Sequence, residues 1–182
     1  MVSISTPAST REKAWILHEL KKIKDTTKRI SEWNKLANSE KEDKIKRFVF
    51  RWISFNGLYN AAYAVKHGQN RADSTSQETL IKWFCENVID KELATKIYSD
   101  DIKQVFLNQI KDKSRGTGKY LEGLKNENPC ERVKNLVLIA YKIRCRLFHG
   151  GKTPSLEVNV EVCDVADKVI APILTYFLES HF

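Results

Sequence analysis

The stretch "IKRFVFRWISFNGLYNAAYAV", residues 45–65, decides the fold. Its large apolar side chains, Ile45, Phe48, Val49, Trp52, Phe55, Tyr59 and Tyr63, recur every three or four residues, the spacing that gathers side chains on one face of an α-helix. A strand would show alternation instead. At roughly 100° per residue, Asn56 falls only about 40° from Trp52, inside the stripe, where an apolar residue is the default. A buried amide there needs hydrogen-bond partners.

Helix starts can be read outward from this segment. Ser9-Thr10-Arg11-Glu12, Ser39-Glu40-Lys41-Glu42 and Thr75-Ser76-Gln77-Glu78 each set a hydroxyl three residues before a glutamate, the capping-box arrangement. Asn128-Pro129-Cys130-Glu131 combines a side-chain acceptor with a proline at the first helical position, where its missing N–H costs nothing. These signals predict helices over 10–37, 40–66, 76–98 with a break near Asp90, 100–112, 129–148 and 160–180. The expected fold is all-α, a single helical bundle of about five to seven helices. One domain is expected over residues 1–182, with 1–9 as a flexible N-terminal tail. Polar loops are expected from His67 to Ser74 and from Lys111 to Lys119. Leu156, Val158, Val160 and Val162 alternate, which leaves a short extended piece open. Pro172 is expected to kink the last helix.

Composition agrees with a helical, turn-poor chain: 42% of residues are hydrophobic, with only 7 Gly and 4 Pro. No window approaches the roughly 20 apolar residues needed to span a bilayer, and the first ten residues lack a signal-peptide pattern, so a cytoplasmic protein with no membrane partner is expected. The four cysteines, Cys85, Cys130, Cys145 and Cys163, show no CxxC spacing and read as packing thiols, not as metal ligands. A formal charge of +8, from 31 Lys+Arg against 23 Asp+Glu, favours encounters with polyanions. "RGTGKY" at 115–120 is no phosphate loop, because Lys113 stands where the first glycine should be and Tyr120 where a hydroxyl should reach magnesium. No helix–turn–helix pair with a clear recognition helix supports binding to duplex DNA.

The predicted helix at 129–148 carries the sharpest anomaly. Val133, Leu136, Val137, Ala140, Ile143 and Leu147 form its apolar face, and Arg144 lies within it, about 40° from Ala140 by the same geometry. A guanidinium buried there must meet a carboxylate, a set of carbonyls, a groove on a second subunit or a ligand anion, unless its stem snorkels to the surface. Lys142 and Arg146 point away from this face and read as solvated. His149 ends the helix, with Gly150 and Gly151 suited to turning the chain. On a regular helix Arg144 and His149 would stand about 140° apart, so a shared site requires a turn at the glycines or a second subunit.

Arg144-Cys145-Arg146-Leu147-Phe148-His149, followed by Gly150-Gly151-Lys152, resembles the Arg-x4–6-His motif of the HEPN superfamily, in the version ending Phe-His-Gly-Gly-Lys found in its ApeA-like and related prokaryotic members. "RWISFNGLYNAAY", residues 51–63, is similar to the aromatic, asparagine-containing helix of those members. The resemblance covers roughly residues 40–180. It implies a HEPN-like helical bundle that acts as a homodimer and cuts RNA without metal or other cofactor, in defence or toxin–antitoxin settings with a cognate antitoxin or regulatory protein. Carried over by position, Arg144 and His149 are the catalytic pair. Lys142, Arg146 and Lys152 would hold flanking phosphates, and Asn56 would orient Arg144 or the scissile phosphate. The family usually has a polar residue after the motif's arginine, whereas this chain has Cys145. Members that bind RNA or a protein partner without cleaving supply the alternative.

Overall fold

The computed structural model describes residues 9–109, 117–149 and 157–179, and within them every regular element is an α-helix. In chain order these are α1 (Thr10–Lys22), α2 (Lys24–Ser39), α3 (Lys44–His67), α4 (Gln69–Ser74), α5 (Gln77–Asn87), α6 (Lys91–Ile97), α7 (Asp100–Gln109), α8 (Gly118–Gly123), α9 (Pro129–Phe148) and α10 (Glu157–Glu179). The helix count exceeds the expected five to seven because two predicted helices break, at Ile23 and near Asp90, and two segments outside the predicted helices, 69–74 and 118–123, are helical.

The first break is at Ile23, which leaves the helical region (φ −82°, ψ 79°) and separates α1 from α2. No glycine or proline marks it. The bend allows Ile16, Leu17 and Leu20 on one side and Ile30 on the other to enter the same core. The second break follows the Asp90 signal: Asp90 accepts from the Leu93 N–H at 2.8 Å and starts α6. Residues 69–74, expected as loop, make the short helix α4 after Gly68. That glycine ends α3 with φ 86°, ψ 152°, a conformation closed to side chains with a Cβ. The alternating valines beyond Leu156 are helical, not extended: α10 begins at Glu157 and continues through Pro172.

Capping follows the sequence in part. Ser9 caps α1 by accepting from the Glu12 N–H at 3.2 Å, and Asn128 caps α9 through the Cys130 N–H at 2.9 Å. Ser39 does not start a helix. It closes α2 by donating to the Leu36 carbonyl, and Asp43 caps α3 through the Lys46 N–H at 2.9 Å. For α5 the cap is Ser76, one residue beyond Thr75. Of the predicted tail only Ser9 is described; the remainder, and the basic stretch 110–116, lie outside the described residues.

Helix α3 runs through the middle of the packing, against α1, α2, α4, α5 and α10. Phe48, Trp52, Phe55, Tyr59 and Tyr63 of the predicted stripe are buried, with Ile45 and Val49 half-buried. Ser54, Leu58 and Ala62 bury a second face. Edge-on aromatic pairs link Trp52 to Phe55 (5.5 Å), Phe55 to Tyr59 (5.1 Å) and Phe55 to Phe84 of α5 (5.6 Å). Such pairs contribute about 0.5–1.5 kcal/mol each beyond their buried area. Trp52 also stacks on Tyr141 of α9 at 6.1 Å, which ties the central helix to the helix that carries Arg144.

A charged seam joins α3 to α10. Arg51, 5% exposed, donates through Nε to Asp167 at 2.8 Å, and through Nη1 to Asn38 at 2.8 Å and to Asn34. Arg47 reaches Asp167 at 3.2 Å and also Asp164, which Lys168 holds at 2.9 Å. Among the described residues, a buried ion pair is thus built on Arg51 and Asp167.

Candidate functional site

The last turns of α9 present Arg144, Arg146, Phe148 and His149. Arg144 is half-buried. Its guanidinium lies over the Phe148 ring, 4.6 Å from Cζ to the centroid, as expected for side chains one helical turn apart. Its Nε is buried without a hydrogen-bond partner, and among the described residues no carboxylate is within ion-pair distance. Of the partners the sequence allowed, the internal carboxylate is therefore absent from the described structure. A buried donor left in this state is costly, about 1–3 kcal/mol, and such sites ask for an explanation. An incoming acceptor supplies one.

Phe148 is 52% exposed, and His149 is exposed just beyond the helix, its backbone N–H bonded to the Cys145 carbonyl at 3.0 Å. Both candidate catalytic residues sit at the same end of α9 with the Phe148 ring between them in sequence. No hydrogen bond joins the two side chains among the described contacts. Gly150, Gly151 and Lys152 lie outside the described residues, so the expected turn and the third phosphate-binding lysine do too.

Asn56 is half-buried and takes up the partners its position demanded, although not the one foreseen. Its Oδ1 faces the Tyr59 hydroxyl and accepts from Asn60 Nδ2 at 3.3 Å; its main-chain carbonyl accepts from the same nitrogen at 2.8 Å. The Tyr59 hydroxyl also meets the Gln77 side-chain amide of α5. A phenol has one proton, so Tyr59 donates to one of these two amide oxygens at a time, and Gln77 Oε1 also accepts from Asn60 Nδ2 at 3.5 Å. Burial pushes the Tyr59 phenol well above its usual range, and the charge of Arg144 pulls the other way. Tyr141 feels the same pair of influences: burial and a hydrogen bond with Cys145 push it up to about 12, and Arg144 opposes them.

Lys142 is not free in solvent. Its Nζ bonds Glu78 of α5 at 2.8 Å, and the same carboxylate takes Lys82 at 2.9 Å, the Tyr120 hydroxyl of α8 at 2.5 Å and Lys119 at 3.7 Å. Burial would raise the Glu78 carboxyl, but the bonds from Lys142, Tyr120 and Lys82 outweigh it and hold the group far below the usual carboxylate range. One negative charge faces three lysines here, and the surplus is positive. Arg146 is likewise half-buried instead of fully solvated.

Sequence reasoning missed Tyr59, Gln77 and Glu78 as parts of the site. Tyr59 had been placed in the core stripe, where its ring is. Gln77 and Glu78 follow a helix cap and stand 67 and 66 residues before Arg144, and no local pattern could connect them. Among the described residues no three His, Cys, Asp or Glu side chains group as a metal site, and no helix is long and apolar enough to cross a membrane. Cys85 and Cys163 are buried, Cys130 and Cys145 half-buried, and none of the four is in a disulfide. Comparison with family models, curated proteins and solved structures finds no match for this chain.

Proposed function

We propose that this protein is a metal-independent endoribonuclease of HEPN type acting on single-stranded or loop RNA, with Arg144 and His149 as its catalytic pair. The observation that carries the reading is Arg144: a half-buried guanidinium with a buried, unpartnered Nε and no carboxylate beside it, five residues before an exposed histidine. Phosphodiester cleavage by the neighbouring 2′-hydroxyl needs those two functions. Histidine titrates near neutrality and accepts the 2′-hydroxyl proton as the oxygen attacks phosphorus. The P–O5′ bond breaks, and the departing oxygen takes up a proton, leaving a 2′,3′-cyclic phosphate and a 5′-hydroxyl end. Arginine stays charged throughout and meets the non-bridging oxygens as charge builds on them. Unstacked nucleotides reach the in-line geometry most readily, which favours loops and single strands. In a homodimer, His149 of one copy would approach Arg144 of the other, which answers their angular separation on one helix. The lysines around Glu78 come from three helices, Lys142 from α9, Lys82 from α5 and Lys119 from α8, and suit flanking phosphates.

The test is cleavage of a single-stranded RNA by the purified chain, with His149→Ala and Arg144→Ala beside it. Loss of cutting in both variants is the expected result, and cutting that survives either one overturns the assignment. A second reading, a helical module that binds RNA or a protein partner without cleaving, is favoured by the lack of any hydrogen bond between the two side chains and by Cys145 following Arg144. It predicts binding with no cleavage in the parent chain.

A further inference from the structure

A cavity of about 330 Å³ opens between α2 and α3, at the α4 end, and shares Asn56 with the site described above. Its wall combines one large aromatic ring, Trp33, with the side-chain amides of Asn56, Asn60 and Gln69, and Arg29 stands at its side. Gly57 also lines it: a Cβ there would come within 3.3 Å of Ile30, so the glycine allows α2 and α3 to approach closely beneath the cavity. Trp33 is half-buried and braced at 5.7 Å by Phe50, which presents a fixed ring instead of a loose one.

We propose that this groove holds one unpaired nucleobase of a single-stranded RNA; the proposal rests on the RNA-directed reading of the α9 site. Three features carry it. First, an aromatic face backed by a second ring is what a base stacks on, and stacking tolerates any base. Second, base choice needs hydrogen-bond groups on a fixed scaffold. The partners of Asn56 and Asn60 occupy the Asn56 oxygen and the Asn60 nitrogen, which leaves an amide N–H on Asn56 and an amide oxygen on Asn60 for a ligand. A donor and an acceptor on adjacent turns of one helix match the paired acceptor and donor along a base edge. Third, the groove borders the buried amide cluster: its wall residue Asn56 accepts from the Tyr59 hydroxyl, which holds the amide in a fixed orientation. Arg29, exposed at the rim, suits the phosphate on the far side of the base.

The experiment uses the full chain carrying His149→Ala, so that RNA is bound and not consumed. Ten-nucleotide homopolymers of A, C, G and U with a fluorescent end are titrated at fixed salt, and the four nucleoside 5′-monophosphates serve as competitors. One base is expected to bind at least about fivefold better than the worst. Trp33→Ala should weaken all four by about 5- to 100-fold, the range found for losing one stacked base. Trp33→Phe, which keeps a ring, should recover most of that loss. Asn60→Ala should flatten the preference among bases with little change in the weakest binder. Thermal melts confirm that each variant is folded. Unchanged affinity and preference in folded Trp33→Ala and Asn60→Ala would overturn the groove proposal even where the parent chain cuts RNA. If the parent chain does not cut RNA but the groove variants lose base-dependent binding, the groove stands and the nuclease reading falls.

Discussion

Replacing Arg144 by methionine should leave the protein about as stable as before, and that outcome separates a ligand-seeking arginine from a structural one. The magnitude follows from its contacts. The favourable interaction lost is the stack on Phe148, a half-exposed ring, worth about 0.5–1 kcal/mol in such settings. The unfavourable one relieved is the buried Nε without a partner, worth about 1–3 kcal/mol. Arginine and methionine have near-equal helix propensity, so the backbone is neutral. The net change runs from about zero to a gain of about 2.5 kcal/mol. Asp167→Ala is the control. It strips the shared carboxylate from Arg51 and Arg47 and leaves a buried guanidinium uncompensated, at a cost of about 3–5 kcal/mol. Urea titration followed by tryptophan fluorescence reads both variants. With an m-value of about 1–3 kcal/mol/M, Asp167→Ala should lower the midpoint by more than about 1 M, whereas Arg144→Met leaves it in place or raises it. A loss of 3 kcal/mol or more in Arg144→Met would show that Arg144 holds the fold together, and the reasoning about its vacancy would fail.

Three further outcomes follow from the same contacts. His67 packs between Tyr63 and Trp83 with Nε2 buried and unpartnered; burial first, then Arg71 and Lys66, lowers its pKa. The unfolded chain therefore takes up a proton sooner, near the ordinary value of 6.5, and the stability tied to the neutral ring is complete above that pH and declines as pH falls. His67→Phe should flatten the melting temperature between about pH 7 and pH 5 relative to the parent chain, and an unchanged slope would refute the assignment. Glu78→Gln should have opposite effects on two assays. RNA binding should tighten and depend more steeply on salt, as Lys142, Lys82 and Lys119 are released for phosphates, with each added contact steepening the slope by about 0.7. Because the Glu78 carboxyl is held low in the fold, its contribution is present above its ordinary value of 4.5 and is lost as pH falls below it. The variant should lack that part of the acid sensitivity; weaker RNA binding would show that Glu78 serves the site directly.

The long helices could be read from the chain because their signals are local. The aromatic period of α3, the Asn-Pro start of α9 and the apolar run of α10 each depend on residues within a few turns. Ile23 gave no such signal: an isoleucine leaves the helical region there because the packing of α1 and α2 on α3 requires a bend, and propensity is overridden. Charge partners were still less legible. Arg51 and Asp167 are 116 residues apart, and Lys142 and Glu78 are 64 apart. Arg51 was not singled out in sequence, and only the tertiary structure gives it a carboxylate and leaves Arg144 without one among the described residues. Arg144 was singled out because it interrupts a periodic face. The Phe148 ring that Arg144 covers comes from its own helix, whereas the Tyr59 phenol that feels its charge comes from α3, which meets α9 only after folding.

The most direct measurement is made on a short single-stranded RNA cut by the full-length chain in excess chelator, with the fragment ends identified by mass spectrometry. The prediction is a 2′,3′-cyclic phosphate on one fragment and a 5′-hydroxyl on the other, and complete resistance when the single ribose at the cut position is replaced by 2′-deoxyribose. Cutting that proceeds through the deoxy position, or an RNA left intact by the parent chain, would contradict the proposed chemistry of Arg144 and His149.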